Sequence, residues 1–80
     1  MVLKNVIMPK LGLTMTYGTV SEWNKKPGEH FAKGDVLCQV ETEKIVDEVQ
    51  APCDGTMYEI LTQAGEDQEV LKPICSIVAD

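Results

Sequence analysis

The chain repeats part of itself. Aligned with its own sequence at an offset of 37 residues, segment 18–32 matches segment 55–69 without a gap. Identical residues coincide at Gly18/Gly55, Thr19/Thr56, Glu22/Glu59, Gly28/Gly65, Glu29/Glu66 and Cys38/Cys75. Eighty residues are enough for one domain around one core. We therefore expect a single domain, residues 1–80, that contains two related halves at residues 18–42 and 55–79.

Short strands separated by turns are predicted along the whole chain. Gly and Pro recur at short intervals, no stretch has sustained helical periodicity, and the segments between turns are rich in β-branched and apolar residues. Strands are predicted near Val2–Met8, Gly18–Trp23, Glu29–Phe31, Val36–Glu41, Ile45–Ala51, Thr56–Leu61, Glu69–Val70 and Ile74–Val78. This pattern indicates an all-β fold. We expect a flattened barrel or sandwich (a barrel-sandwich hybrid) of two four-stranded antiparallel sheets related by a pseudo-two-fold axis.

The turns have local causes. Gly28 and Gly65 fall at matching repeat positions, where glycine supplies a positive φ at little steric cost. The central hairpin turns tightly through Thr42–Lys44. Because this turn has no Asn-Gly, we expect a type I rather than a type I′ geometry at Glu43 and Lys44.

Charge and size exclude several functions. The chain has 7 Lys+Arg against 13 Asp+Glu, a formal charge of −6, and no basic cluster. Nucleic acid and anionic membrane surfaces are therefore not expected as partners. No apolar run has the length of a membrane span or a secretory signal, so we expect a cytosolic protein, or an organelle protein without its transit peptide. Eighty residues leave little material to enclose a deep substrate cavity, which favours a binding or carrier module.

The three cysteines do not indicate a disulfide framework or a metal site. Cys38, Cys53 and Cys75 are odd in number and lack C-x-x-C spacing, and His30 is the only histidine. We expect no metal. Because Cys38 and Cys75 are equivalent in the repeat, we expect both to be buried, reduced thiols. A nucleophilic Cys–His pair with His30 is an alternative that the spacing does not support.

Lys44 lies where the two halves join. Most exposed lysines only aid solubility, but this one occupies the predicted turn between the repeats and is flanked by Glu41, Glu43, Asp47 and Glu48. Nearby carboxylates favour the ammonium form, whereas a Schiff-base or general-base lysine needs a desolvated site or a cationic neighbour. Lys44 is therefore suited to be the substrate of a modifying enzyme, which would attach a mobile arm to a fixed support.

The sequence resembles the lipoyl domains of 2-oxoacid dehydrogenase complexes over essentially its whole length. The resemblance is carried by Met8-Pro9-Lys10-Leu11-Gly12 with Met15, Gly18 and Trp23, Pro27-Gly28-Glu29, Lys33-Gly34-Asp35-Val36-Leu37, Val40-Glu41-Thr42-Glu43-Lys44, Glu48-Val49, Ala51-Pro52 and Asp54-Gly55. The turn departs from the family's commonest form, Glu-Thr-Asp-Lys-Ala, at Glu43 and Ile45. Glu43 keeps the charge, and Ile45 adds bulk beside the lysine.

The resemblance implies a function and a set of partners. Lys44 would carry lipoic acid in amide linkage, attached by a lipoate ligase or lipoyltransferase. The dithiolane would accept an acyl group from a thiamine diphosphate-dependent decarboxylase (E1), pass it to coenzyme A at an acyltransferase (E2), and be reoxidised by a flavoprotein dihydrolipoyl dehydrogenase (E3). The domain itself would have no catalytic site, would be monomeric when isolated, and would belong to a parent that is an acyltransferase of a 2-oxoacid or acetoin dehydrogenase complex. Its location would be the cytoplasm, or the mitochondrial matrix in a eukaryote.

Recognition residues and alternatives complete the expectations. In the turn, the resemblance implies recognition through Glu41, Thr42, Glu43 and Ile45, and in the loop before the second strand through Gly12, Leu13, Thr14 and Met15. An ordinary connector with Leu13 or Met15 packed into the core is the alternative for that loop. A biotin carrier shares the fold, but its usual turn has Met on both sides of the lysine. A non-covalent interaction module is the other alternative.

Overall fold

A computed structural model describes residues 2–80; Met1, which the expected domain bounds include, lies outside the described residues. The strands are β1 Val2–Ile7, β2 Tyr17–Trp23, β3 His30–Phe31, β4 Val36–Glu41, β5 Val46–Gln50, β6 Gly55–Ile60, β7 Asp67–Glu69 and β8 Pro73–Ala79. Seven of them lie within one residue of their predicted bounds. The exception is β7, which begins two residues earlier because it pairs with Tyr17–Thr19 and because Thr19 Oγ1 donates a hydrogen bond of 2.6 Å to Asp67.

The strands form two four-stranded antiparallel sheets, with orders β1-β8-β6-β3 and β5-β4-β2-β7. Each sheet has two open edges and no closed barrel forms among the described residues, so the expected sandwich of two four-stranded sheets is confirmed. Across residues 2–80 the structure offers no helical segment with the length and hydrophobicity of a membrane span.

The two sheets repeat the same pairing. Their orders correspond strand for strand, and the Trp23–Cys38 pair of one sheet recurs 37 residues later as the Ile60–Cys75 pair of the other. Both sheets also carry a β-bulge at the equivalent place, at residues 20–22 and 57–59. The expected pseudo-two-fold relation is therefore present in the hydrogen-bond register.

One connection breaks this symmetry. The edge strands β1 and β5 are equivalent at an offset of 43 residues, since Val6 pairs with Cys75 as Val49 pairs with Cys38. All other equivalent strands are 37 residues apart. Measured between residues at equivalent places in the pairing register, the β1–β2 connection is therefore six residues longer than the β5–β6 connection. The extra length is not needed to join the two sheets, because the other half joins them without it.

The core lies between the sheets, and the residues of its main cluster are all apolar. The largest fully buried side chains include Phe31, Met8, Leu37, Ile74 and Ile77, each at most 2% exposed. Burial of each such side chain contributes about 1.5–3 kcal/mol. Trp23 packs against this core and donates its indole N–H to the Thr62 carbonyl at 2.8 Å, so it is a packing residue.

Equivalent turns use equivalent hydrogen bonds. Gly28 and Gly65 have φ of 92° and 91°, as predicted. Glu29 Oε1 accepts a hydrogen bond from the Lys26 N–H at 2.8 Å, and Glu66 Oε1 accepts one from the Gln63 N–H at 2.7 Å. Both glutamates therefore close the turn that contains their preceding glycine, which explains their repetition in the sequence.

Candidate functional site

The turn between β4 and β5 is short. β4 ends at Glu41 and β5 begins at Val46, and the Thr42 N–H donates to the Ile45 carbonyl at 2.8 Å. Among residues 2–80, Leu71 is the only non-glycine residue with a positive φ, so Glu43 and Lys44 have negative values. A type I′ turn, which needs two positive φ values, is thereby excluded as predicted.

The hydrogen bonding of this turn differs from that of the predicted type I turn. In a hydrogen-bonded type I turn the N–H of the fourth residue donates to the carbonyl of the first. Here the Ile45 N–H donates instead to Thr42 Oγ1 at 3.2 Å, and the Lys44 N–H donates to the same oxygen at 3.3 Å. A side-chain hydroxyl thus takes the place of a backbone carbonyl.

Lys44 is presented to solvent. Its side chain is exposed, and so are those of Glu41, Glu43, Asp47 and Glu48 around it. Within residues 2–80 the one ion pair joins His30 to Asp80, so the Lys44 amine is not held by any of the neighbouring carboxylates. The amine can therefore be reached by another protein and is free to form a covalent bond.

The long β1–β2 connection is fastened by a methionine. The Leu11 N–H donates to Met15 Sδ at 3.1 Å, and the Met15 N–H donates to the Gly12 carbonyl at 3.2 Å. Met15 also packs against the core, whereas Leu13 is 96% exposed. Of the two residues that the connector alternative would place in the core, Met15 is packed there and Leu13 is not.

An open groove of about 630 Å³ separates this connection from the Lys44 turn. Its lining residues are Leu11, Gly12, Thr14, Met15 and Thr16 of the connection, Tyr17 and Thr19 of β2, and Glu41, Thr42, Glu43, Lys44 and Ile45 of the turn. The six extra residues of the first half therefore lie beside the lysine. Because the fold does not need them, their position favours a role in function.

The groove brings together all but one of the predicted site residues. Gly12, Thr14 and Met15 face the turn across the groove, whereas Leu13 is not part of the lining. Sequence reasoning missed Leu11, Thr16, Tyr17 and Thr19. Thr19 lies in a predicted strand, but only the observed pairing of β2 with β4 places it opposite Glu41. The recognition roles of these residues stay predictions.

The thiols and the histidine do not form a second site. Cys38 and Cys75 are fully buried and unpaired. Burial, with a smaller contribution from nearby Cys75, raises the pKa of the Cys38 thiol from 9.0 to about 12. Burial raises the pKa of Cys75 to the same value, although a hydrogen bond with the Val6 backbone opposes the shift. His30 Nε2 lies 2.9 Å from Asp80 on the surface, so the Cys–His pair is not formed.

Comparison with known proteins identifies relatives along most of the chain. Residues 4–77 match the family model described as "Biotin-requiring enzyme" (Biotin_lipoyl). The chain is 43% identical over 72 residues to the dihydrolipoyllysine-residue acetyltransferase component of the acetoin cleaving system of Bacillus subtilis, covering 90% of this chain and 18% of that protein. It is 40% identical over 76 residues to a pyruvate dehydrogenase E1 component subunit beta of Rhizobium meliloti, covering 94% of this chain and 16% of that protein. The chain thus spans less than a fifth of these relatives.

A solved structure matches both in fold and in extent. The lipoyl domain of the 2-oxoglutarate dehydrogenase complex from Azotobacter vinelandii superposes with a TM-score of 0.77 at 30% identity, covering 92% of this chain and 94% of that domain. The superposition therefore covers nearly all of both chains. Lipoyl domains carry lipoic acid covalently on a lysine. The chain belongs to the biotinyl/lipoyl carrier family, and within it to the lipoyl domains.

Proposed function

We propose that Lys44 is the residue that carries the lipoyl group, and that the domain moves acyl groups and electrons between the active sites of a 2-oxoacid or acetoin dehydrogenase complex. The observation that carries this proposal is the exposed Lys44 amine, free of ion pairs among residues 2–80, at a turn closed by three hydrogen bonds. An arm attached there has a fixed origin and a mobile end, which raises the local concentration of its reactive group at partner active sites.

Attachment of the lipoyl group requires only an accessible amine from this chain. Amide formation joins Lys44 Nζ to the carboxyl carbon of an activated lipoate; the ammonium gives up two protons in becoming the amide N–H, and the activating group departs. When bound, the lipoyl group supplies a dithiolane that takes up an acyl group and electrons as its S–S bond opens. The chain contributes the exposed amine and the turn, and the dithiolane carries out the redox chemistry.

The names of the relatives support the proposed partners of this domain. They are named as components of acetoin, pyruvate and 2-oxoglutarate systems. The partners of this domain are accordingly a lipoate ligase or lipoyltransferase, an E1 decarboxylase, an E2 acyltransferase core and an E3 dihydrolipoyl dehydrogenase. The parent is an acyltransferase, as for the Bacillus relative, and an E1 beta parent, as for the Rhizobium relative, is the competing arrangement. The isolated domain is a monomer, and the protein acts in the cytoplasm or the mitochondrial matrix.

The groove is the proposed recognition surface. Its two walls combine acidic side chains, Glu41 and Glu43, with apolar ones, Ile45 and Met15, within reach of Lys44. Leu13, exposed in the middle of the long connection, adds an apolar anchor outside the groove. Exposed apolar groups with an acidic rim suit a partner surface that is apolar at its centre and basic around it.

Site-specific lipoylation is the decisive experiment. The purified chain is incubated with lipoate, ATP and a lipoate ligase, and its intact mass is measured. One lipoyl adduct is expected, absent from Lys44→Arg and present in Lys26→Arg, a matched change at another exposed lysine. An adduct that persists in Lys44→Arg would overturn the assignment, and biotin transferred to Lys44 by a biotin ligase in place of lipoate would make the domain a biotin carrier. Absence of both adducts would favour a non-covalent interaction module.

The acyl-transfer step is tested separately. The lipoylated domain is mixed with a thiamine diphosphate-dependent decarboxylase and pyruvate, 2-oxoglutarate or acetoin, and acylation of the dithiolane is followed by mass. One of the three pairs is expected to acylate the domain at least about tenfold faster than the others, the discrimination that about 1.4 kcal/mol provides. Acylation by none of them would remove the dehydrogenase-complex assignment while leaving lipoylation intact.

A further inference from the structure

Thr42 is the least exposed residue of the turn. Glu41, Glu43, Lys44 and Ile45 are exposed, whereas Thr42 is half-buried. Its Oγ1 atom lies 3.3 Å from the Lys44 nitrogen and 3.2 Å from the Ile45 nitrogen, and it accepts a hydrogen bond from both N–H groups. Its own N–H donates to the Ile45 carbonyl at 2.8 Å. One residue thus supplies every hydrogen bond that closes the turn.

The geometry of the turn explains why a side chain is needed. Two-residue hairpins usually use primed turns, because turns with negative φ at both central residues splay the strands. Glu43 and Lys44 both have negative φ, and the usual bond from the Ile45 N–H to the Thr42 carbonyl is not formed. A threonine hydroxyl at the first position of such a turn can accept from the N–H groups two and three residues on. The hydroxyl therefore holds a backbone conformation that a two-residue hairpin does not otherwise favour.

We propose that Thr42 is a positioning residue, whose hydroxyl holds the backbone of Lys44 in one conformation so that the amine is presented to the lipoate-attaching enzyme in one direction. This differs from a role as a recognition residue, because the hydroxyl is turned towards the chain's own N–H groups. The kinetic part of the proposal rests on lipoylation of Lys44, and the conformational part does not. Binding of the ligase costs less conformational entropy when the turn already has one conformation than when the turn must be ordered on binding.

The test compares Thr42→Val, which keeps the shape and removes the acceptor, with Thr42→Ser, which keeps the acceptor and removes the methyl group. In the unmodified domain, backbone 15N order parameters of Lys44 and Ile45 are expected near ~0.8 in the wild type and in Thr42→Ser, and below ~0.6 in Thr42→Val. In lipoylation assays, kcat/KM is expected to fall about tenfold in Thr42→Val and to stay within about twofold in Thr42→Ser. Acylation of Lys44 by a small N-hydroxysuccinimide ester, which needs no docking, is expected to be equal in all three proteins.

Each result decides something. Order parameters unchanged in Thr42→Val would overturn the proposal even if lipoylation slowed, because the ligase would then be reading the hydroxyl directly. A Thr42→Ser variant as slow as Thr42→Val would assign the effect to the methyl group and would also overturn it. If the wild type is not lipoylated, the proposed function fails, but the order parameters still test whether Thr42 holds the turn. Equal melting temperatures within a few degrees, as expected for one exposed turn, exclude unfolding as the cause.

Discussion

Gly34 and Leu71 lie at equivalent positions of the two halves, 37 residues apart, and both have a positive φ, 91° and 68°. Their N–H groups make equivalent hydrogen bonds, Gly34 to the Ala51 carbonyl at 2.9 Å and Leu71 to the Met8 carbonyl at 2.8 Å. The fold therefore requires a left-handed residue at this place in each half. Glycine adopts that conformation at little cost, whereas leucine pays about 1–2 kcal/mol.

Replacement of Leu71 tests this strain. Leu71→Gly is expected to be more stable than Leu71→Ala by about 1 kcal/mol, because both remove the exposed side chain and only glycine relieves the backbone. Gly34→Ala is expected to lower the free energy of unfolding by more than about 1 kcal/mol relative to the wild type, because alanine is strained at this positive φ. A steric clash does not contribute, because nothing lies within 4 Å of the added methyl group. Urea denaturation measures both differences. Equal stability of Leu71→Gly and Leu71→Ala would contradict the strain.

Gly18 and Gly55 are also equivalent, but their surroundings predict different sensitivities. A methyl group at Gly55 would collide with the Val78 carbonyl oxygen, a backbone atom that cannot move without opening the sheet. At Gly18 it would meet Met15 Cε at 2.8 Å, at the end of a flexible side chain. We expect Gly55→Ala to destabilise the domain by more than about 2 kcal/mol and Gly18→Ala by about 1 kcal/mol or less. Thermal and urea unfolding would reveal the order, and a reversed order would refute this explanation.

The buried thiols predict a loss of stability in alkali. Their pKa values are raised from 9.0 to about 12 in the folded chain, so above pH 9 the unfolded chain releases protons that the folded chain retains. The unfolded state then binds fewer protons, and stability falls as pH rises, by up to about 1.4 kcal/mol per pH unit for each thiol. Cys38→Ala is expected to be less stable at pH 7 but to lose less stability between pH 9 and 10.5. Urea midpoints across this range measure the slopes, and parallel slopes would exclude the thiol as the cause.

The carboxylates beside Lys44 are predicted to contribute to recognition by partner enzymes and little to the stability of the domain. Glu43→Lys is expected to lower kcat/KM for acylation of the lipoylated domain by the decarboxylase about tenfold, with a smaller loss at high salt, because it reverses charge on the proposed docking surface. Glu59→Lys makes the same charge change on the other sheet, where the side chain is also exposed. That control is expected to stay within about twofold, and both variants within about 0.5 kcal/mol of wild-type stability. Equal losses in both would point to net charge instead of the groove.

Much of the fold could be predicted because its determinants are local or repeated. β4 was predicted to the residue, since Gly and Asp precede it and the turn follows it at once. The burial of Cys38 and Cys75 followed from their equivalence in the repeat, and the positive φ of Gly28 and Gly65 followed from the residue type. Lys44 could be singled out for the same reason, because the duplication leaves it as the unique feature between the halves.

Other features depend on atoms that meet only when the sheets are assembled. A leucine carries no sign that it must adopt a positive φ, so Leu71 became identifiable only through the backbone that it shares with Gly34. Met15 is packed inward because the Leu11 N–H donates to its sulfur and because Gly18, which has no side chain, leaves room for its terminal methyl group. Leu13 stays in solvent. The role of Thr42 was decided by the negative φ values of Glu43 and Lys44, which leave two N–H groups for its hydroxyl. The sequence by itself determined the strands, the repeat and the lysine, because these depend on residue type and spacing. The folded structure decided which side chains line the groove, because they come from segments distant in the chain. It also decided how the turn is closed, because its hydrogen bonds depend on the backbone conformation at Glu43 and Lys44.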